Sequence, residues 1–329
     1  MTRSWILMAI ILGSDITGCQ VSHRDSVGSA SSPAVIQSVC KKVFGGGEFT
    51  EGPAIGADGR VYFSDLTFDS VMIHGRIWCY DPRSDATILY RSPSNMSNGI
   101  KFDGKGRMVV AEGDDRGVRR ISRTDSIKGT VETLADSYRG TPFNSPNDLA
   151  IDRHGRIYFT DPRYGNLESV TQDVKGVYRL DPDGNVTRLL DSIAMPNGIA
   201  LAPDERTLYI GSFDEEQADH GKSKALQMAL FAYDLLESGL VGNGRVLVDF
   251  GTQAGPDGLA VDEKGNILAA IRNEQHPGIY VFDPSGVCKG VIPVPAVPSN
   301  LVFDRTTGRH LLYVTAGGGL YRVNLRDSN

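Results

Sequence analysis

With 329 residues, 38 of them Gly and 16 Pro, and 40% hydrophobic content, the chain can hold one large all-β domain or two average ones. A formal net charge of -6 and the lack of a basic stripe argue against a nucleic-acid partner, since nothing would neutralise a run of phosphates. The short cationic pairs Lys41-Lys42 and Arg119-Arg120 read as solvated faces.

The first segment reads as an address rather than as fold. Arg3 precedes an apolar run over residues 5–12, too short to span a bilayer. Ile16-Thr17-Gly18-Cys19 then resembles the bacterial lipobox, in which the Cys is lipidated and becomes the new N-terminus. The expectation is a lipoprotein-type signal peptide over 1–18, lipid on Cys19, and an exported, periplasmic protein that meets the membrane only through that anchor. Asp15 beside the apolar run and a single leading charge depart from the pattern, and an ordinary secretory signal is the alternative. Residues 19–34 are polar, Ser- and Gly-rich, and read as a flexible linker. Residues 35–327 read as one folded domain. Cys40, Cys79 and Cys288 allow one disulfide in an oxidising compartment without defining the pair, and no Cys/His spacing suggests zinc.

Beyond the linker the sequence repeats six times. In each repeat, a polar turn leads into a short apolar run, a Gly turn, and a second apolar run. The first opens at Glu51-Gly52-Pro53 and continues through Val61-Tyr62-Phe63-Ser64-Asp65, with further runs at Arg76-Ile77-Trp78-Cys79-Tyr80 and Thr87-Ile88-Leu89-Tyr90. The second opens at Asn98-Gly99-Ile100 and the third at Asn147-Asp148-Leu149. The fourth opens at Asn197-Gly198-Ile199, the fifth at Asp257-Gly258-Leu259 and the sixth at Ser299-Asn300-Leu301. The opening residues are 47, 49, 50, 60 and 42 positions apart. Four short β runs per repeat of about 40–50 residues mark propeller blades. The sixth repeat has three runs, and an unpaired run at about 34–44 precedes the first repeat. The expected fold is an all-β six-bladed β-propeller whose last blade is closed by an N-terminal strand, which removes the free sheet edges.

The innermost strand of a blade lines the central channel, so the residue just ahead of it sits at one channel mouth. Glu51, Asn98, Asn147, Asn197, Asp257 and Ser299 are expected to converge there. Two carboxylates and three amides form a ring of hard oxygen donors that suits calcium, magnesium or manganese better than a typical zinc site. Asn-Gly and Asp-Gly are also ordinary turn chemistry, because Asn and Asp tolerate left-handed conformations. Glu51 resists that explanation, since Glu is no turn former yet holds the same register. Asp148 occupies the Gly slot of the other repeats and reads as a turn or supporting residue. His220, His276 and His310 show no ligand or triad spacing, and no Gly-x-Ser-x-Gly elbow is present. Asp214-Glu215-Glu216 reads as a solvated acidic patch.

Thr50-Glu51-Gly52-Pro53, Ser145-Pro146-Asn147-Asp148, Phe159-Thr160-Asp161-Pro162-Arg163-Tyr164-Gly165, Pro196-Asn197-Gly198 and Pro256-Asp257-Gly258 resemble the gluconolactonase, senescence marker protein and luciferin-regenerating enzyme family. The resemblance covers about residues 44–325. It implies one catalytic divalent cation on Glu51, Asn147, Asn197 and Asp257, with calcium first and magnesium, manganese or zinc as the other candidates. Asp257 would also serve as base or nucleophile, Asn98 and Glu112 would contact substrate, and the substrate would be a small-molecule sugar lactone. Two departures lie near the substrate positions: Glu112-Gly113-Asp114 in the second repeat and Asn300-Leu301-Val302-Phe303-Asp304-Arg305 in the sixth. A phosphotriesterase-like hydrolase on the same ligands, or a non-catalytic binding propeller with a structural metal, are the competing readings.

Overall fold

The computed structural model describes residues 33–325 except 69–73, 114–116, 126–128, 165–170, 214–226, 252–253 and 305–310. The chain divides into units Met1–Ser32 and Pro33–Asn329, and the second holds every described residue. The expected signal peptide, Cys19, Asp214-Glu215-Glu216, His220 and His310 lie outside the described residues.

Each repeat closes on itself because its apolar runs are short, β-rich and separated by turns that reverse the chain. The clearest turns come directly after the innermost strands. Asp103, Asp152 and Asp262 each accept the backbone N–H groups two and four residues on. Gly106, Gly155 and Gly265 supply the left-handed step, with φ of 71°, 78° and 84°. The result is six four-stranded antiparallel sheets, five of them built from consecutive strands. The second blade has third and fourth strands, Arg120–Thr124 and Val131–Ala135, in a charged stretch where the sequence showed no apolar run. An additional hairpin, Ser137–Tyr138 with Thr141–Pro142, joins the second and third blades.

The sixth sheet takes its outer strand from the front of the domain. Ser38–Gly45 pairs antiparallel with Gly319–Leu325, so the expected closure is present. Just ahead of it, Val35 bridges Val291 on the outer strand of the fifth blade. The apolar core is divided among six clusters, one between each pair of neighbouring blades. The cluster between the sixth and first blades, around Phe63, Tyr80, Leu311 and Tyr313, also takes in Val43 and Phe44 from the closing strand. Sheet faces are thus spent on blade-to-blade contact, and the axis is left to polar groups. Cys40, Cys79 and Cys288 are free thiols, so the disulfide allowed by the sequence is not formed.

Candidate functional site

The innermost strands do not run straight. Pairing with the second strand slips between Glu51 and Ala54, Ser97 and Ile100, Pro196 and Ile199, Pro256 and Leu259, and Pro298 and Asn300. A bulge re-aims the side chains it carries, so the repeated residues of the first, second, fourth and fifth blades leave the regular pleat, while Asn147 of the third lies ahead of the paired strand, which begins at Leu149. In those four blades the Gly behind the repeated residue answers a packing need. A Cβ on Gly52, at φ +48°, would lie 2.0 Å from Asn98 O, and one on Gly198 would lie 2.1 Å from Asp257 O. Neighbouring innermost strands therefore touch backbone to backbone. Hydroxyls stitch the same contacts: Ser64 Oγ donates to Asn98 O at 2.8 Å, and Thr160 Oγ1 to Asn197 O at 2.7 Å.

Two blades carry a side chain in the Gly slot, and these meet across the axis. Asn300 Nδ2 donates to Glu51 Oε2 at 3.2 Å and to Asp148 Oδ2 at 3.3 Å, joining the sixth, first and third blades. Lys101 Nζ approaches Asp148 Oδ1 at 3.7 Å. Lys101 stands where the first, third, fourth and fifth repeats have Ala54, Ala150, Ala200 and Ala260. Asp257 lies on the same site, and Arg272 Nη1 reaches its Oδ2 at 3.4 Å. Burial, and next the charge of Asp257, push the Glu51 carboxyl well above the usual carboxylate range. Asp148 adds a smaller push, while the Gly52 N–H and Asn300 amide pull the other way.

The amides differ in what holds them. Asn98 is buried, and its Oδ1 has no hydrogen-bond partner. Asn197 Nδ2 donates to the Tyr164 hydroxyl, which donates to Phe213 O at 2.9 Å. That chain fixes the amide so that Asn197 Oδ1 is the atom turned away from Tyr164. Asn147 is half-buried, its backbone tied to Gly99 and Thr160. Ser299 departs from the expected ring. Its Oγ is buried against Thr50 O at 2.7 Å and Thr315 Oγ1 at 2.9 Å, so the sixth blade presents Asn300 instead.

Glu112 is fully buried, and both its oxygens are engaged. It accepts from Arg91 Nη2 and Arg120 Nε, both at 2.8 Å, from Ser122 Oγ at 2.6 Å and from Asn95 Nδ2 at 3.2 Å. The same position in the first and third blades holds Asp65 and Asp161, which accept backbone N–H groups of Glu48 and Phe49, and of Asn144 and Ser145. All three carboxylates tie down the segment leading into their own blade. Glu112→Ala is therefore expected to cost about 3–5 kcal/mol of stability, because it strands two largely buried guanidinium groups. Denaturant unfolding measures that loss; a KM change at unaltered stability would restore Glu112 as a substrate contact.

A cation fits this donor set on two grounds. The charges of Asp257 and Asp148 add to burial in making Glu51 costly to ionise, and Asn197 turns its amide oxygen away from Tyr164. Among the described residues no three His, Cys, Asp or Glu side chains could hold an ion alone. Amide oxygens must complete the coordination, which favours hard cations.

Fold and site together define a six-bladed propeller with an oxygen-lined channel mouth. Residues 49–318 match the SMP-30/Gluconolactonase/LRE-like region, and the chain belongs to that family. A gluconolactonase of Zymomonas mobilis is 34% identical over 251 residues, covering 72% of this chain and 65% of that protein. A lactonohydrolase of Aspergillus oryzae is 30% identical over 215 residues, covering 60% and 48%. The chain thus spans just under two thirds of the first relative and about half of the second. Among solved structures, a gluconolactonase of Xanthomonas campestris superposes with a TM-score of 0.74 at 28% identity, over 90% of this chain and 96% of that one. A luciferin-regenerating enzyme shares the fold at a TM-score of 0.67 and 21% identity, over 88% and 95%.

Proposed function

We propose that the protein hydrolyses a sugar lactone of the gluconolactone type at the channel mouth, with one divalent cation, calcium first. One observation carries this reading. In a chain of this family, Asp257 and Asp148 crowd the buried Glu51 carboxyl and Asn300 bonds both Glu51 and Asp148, while Asn98 and Asn197 stand on the innermost strands of the second and fourth blades. Held by Glu51, Asn147, Asn197 and Asp257, a divalent cation would supply Lewis-acid polarisation of the carbonyl. Asp257 takes the proton of the attacking water, gaining more from position than from basicity. Asn98 Oδ1 accepts a hydrogen bond from a substrate hydroxyl, which gives that orphaned oxygen its partner. Asn300 holds Glu51 and Asp148 apart at fixed distance, and Tyr164 holds Asn197. An anchor at Cys19 would place this activity outside the cytoplasm, on a tether.

The test is a panel of lactones assayed after chelation and again with calcium, magnesium, manganese or zinc restored. Activity is expected to vanish with chelator and return with cation. Full activity in the chelated protein would remove the metal from the reading, and no turnover under any cation would leave a binding propeller.

Charge crowding also predicts a pH dependence. Glu51 is raised above its ordinary 4.5 by burial and by Asp257, and Asp161 is pushed up to about 7 by burial. Between the ordinary and raised values the folded metal-free protein binds more protons than the unfolded chain. These two groups therefore stabilise most at low pH, and that contribution is lost as pH rises through their raised values. Added cation at 100 times its Kd should stabilise by about 2.7 kcal/mol at pH 8 and by less at pH 5, where protons compete. Thermal unfolding with and without cation at the two pH values checks this; equal stabilisation at both would contradict it.

A further inference from the structure

We propose that Lys101 is a positioning residue of this site, a built-in positive charge beneath the mouth that loosens its hold on the cation. The inference rests on the cation reading and adds to it a residue outside the four proposed ligands. Lys101 lies on the innermost strand of the second blade, Ser97–Phe102, three residues beyond Asn98. That strand leads away from the mouth, so the Lys101 backbone sits deeper in the channel than the ring of amides and carboxylates. Small side chains hold the same register elsewhere: Ala54, Ala150, Ala200, Ala260 and, in the sixth blade, Val302. Lys101 is the long, charged exception among them.

Its ammonium turns toward the third blade, where Nζ lies 3.7 Å from Asp148 Oδ1. At that distance the link is charge to charge rather than a hydrogen bond. Asp148 is buried, and its hydrogen bonds come from other groups. The Leu149 N–H donates to Oδ1 at 2.8 Å, and Asn300 Nδ2 donates to Oδ2 at 3.3 Å. Gly99 closes the carboxylate in, since a Cβ there would lie 2.6 Å from Asp148 Oδ1. Asn300 joins this pair to the site, because the same amide reaches Glu51 Oε2 at 3.2 Å. Lys101 is thus placed to act through Asp148 and the field it sets, not as a partner of a proposed ligand.

Charge counting gives the direction of the effect. Glu51, Asp148 and Asp257 can bring three negative charges to the mouth, and positive side chains already meet two of them. Lys101 pairs with Asp148. Arg272, with the rings of Phe49 and Phe213 at 5.1 Å and 5.5 Å, pairs with Asp257 at 3.4 Å. An arriving divalent ion adds two more positive charges beside these. Arg272 neighbours a proposed ligand, so changing it would alter coordination and field together. Lys101 neighbours Asp148, which is no proposed ligand, so changing it alters the field alone. Repulsion between ammonium and cation survives at separations below a Debye length, the more so across a buried floor. The consequence is a mouth that exchanges its cation instead of trapping it.

Lys101→Ala installs the residue that four other blades carry in this register, so the fold accepts it. Lys101→Met keeps the volume without the charge, and Lys101→Arg keeps the charge. Calorimetry on the chelated full chain gives the calcium Kd of the wild type and of each variant, and unfolding midpoints check that each is folded. Kd is expected to fall at least about 10-fold in Lys101→Ala and Lys101→Met alike. Lys101→Arg should stay nearer to the wild type than to either. Asp148→Asn should shift Kd the other way, and Asp148→Asn with Lys101→Met should return close to the wild-type value. A packing role would not produce that compensation. Unchanged or weaker binding in Lys101→Met would overturn the assignment whatever Lys101→Ala does, since freed space would then be the cause. A double variant that binds as weakly as Asp148→Asn alone would overturn it too. Failure of the cation reading looks different: the wild type then binds no calcium. If Lys101→Met binds calcium in that case, the charge still excludes the cation and the inference stands; if neither binds, both fall.

Discussion

Asp257→Asn is expected to cut turnover about 10³-fold while moving the thermal midpoint by no more than a few degrees. The amide has the shape of the carboxylate but cannot accept the proton of the attacking water. Two changes in the surroundings oppose each other in stability. Glu51 loses the like charge that, after burial, raises its carboxyl most, so its ionised form becomes easier to hold. Arg272 loses its carboxylate neighbour at 3.4 Å but keeps both aromatic contacts. Cation affinity should also fall, because one of four proposed ligands changes from charged to neutral. Three measurements separate these effects: kcat at saturating cation, cation Kd by calorimetry, and the unfolding midpoint after chelation. Loss of turnover that added cation fully rescues would make Asp257 a ligand and nothing more. Near-normal turnover would remove it from the mechanism altogether.

The propeller was legible because each blade repeats the same local physics. The Asp that accepts two turn N–H groups and the left-handed Gly three residues later recur after the innermost strands at Asp103, Asp152 and Asp262. Counting runs exposed the missing outer strand of the last blade. The second blade's outer strands stayed hidden because Arg120–Thr124 and Val131–Ala135 alternate charge with small apolar residues. At the site, Glu51, Asn98, Asn197 and Asp257 stood out for a reason that the bulges supply: the residue beside each must be Gly to admit the next strand. That same rule hid Asp148 and Asn300. They break the Gly pattern, which reads as a defect in a repeat until the axis brings the two side chains to 3.3 Å. Lys101 carried a signal in hindsight, as a lone Lys at an Ala position. Arg272 carried none, and Tyr164 stood in a family motif without a sign of its role, since their partners Asp257, Phe49, Phe213 and Asn197 belong to other blades or lie far along the chain. The partners of Glu112 were hidden for the same reason, because the arginines that bind it are visible only when the strands are paired.

Removing residues 1–45 should abolish cooperative unfolding or lower the thermal midpoint by more than about 10 °C, whereas removing 1–32 should shift it by less than about 2 °C. The longer deletion takes the strand Ser38–Gly45, which pairs along the whole of Gly319–Leu325. Phe44 goes with it, and with it ring contacts to Phe63 at 5.2 Å and Trp78 at 5.0 Å that seal the sixth blade to the first. The sixth sheet would be left with three strands and a bare edge, open to pairing with another chain. Loss of solubility during expression would count as the expected result if the shorter deletion stays soluble. The register offers a sharper control. Ser38 faces Leu325 at the end of the antiparallel pair, so residues 38–45 can be grafted after Leu325 through a short hairpin turn. Grafted there in a chain lacking 1–45, the strand meets the same edge in the same direction, and the midpoint should recover most of its fall. Recovery would make the strand's pairing the cause of stability. Failure of the graft, with the shorter deletion intact, would shift the weight to the latch ahead of it, where Val35 bridges Val291 and Ile36 donates to Val291 O at 2.7 Å.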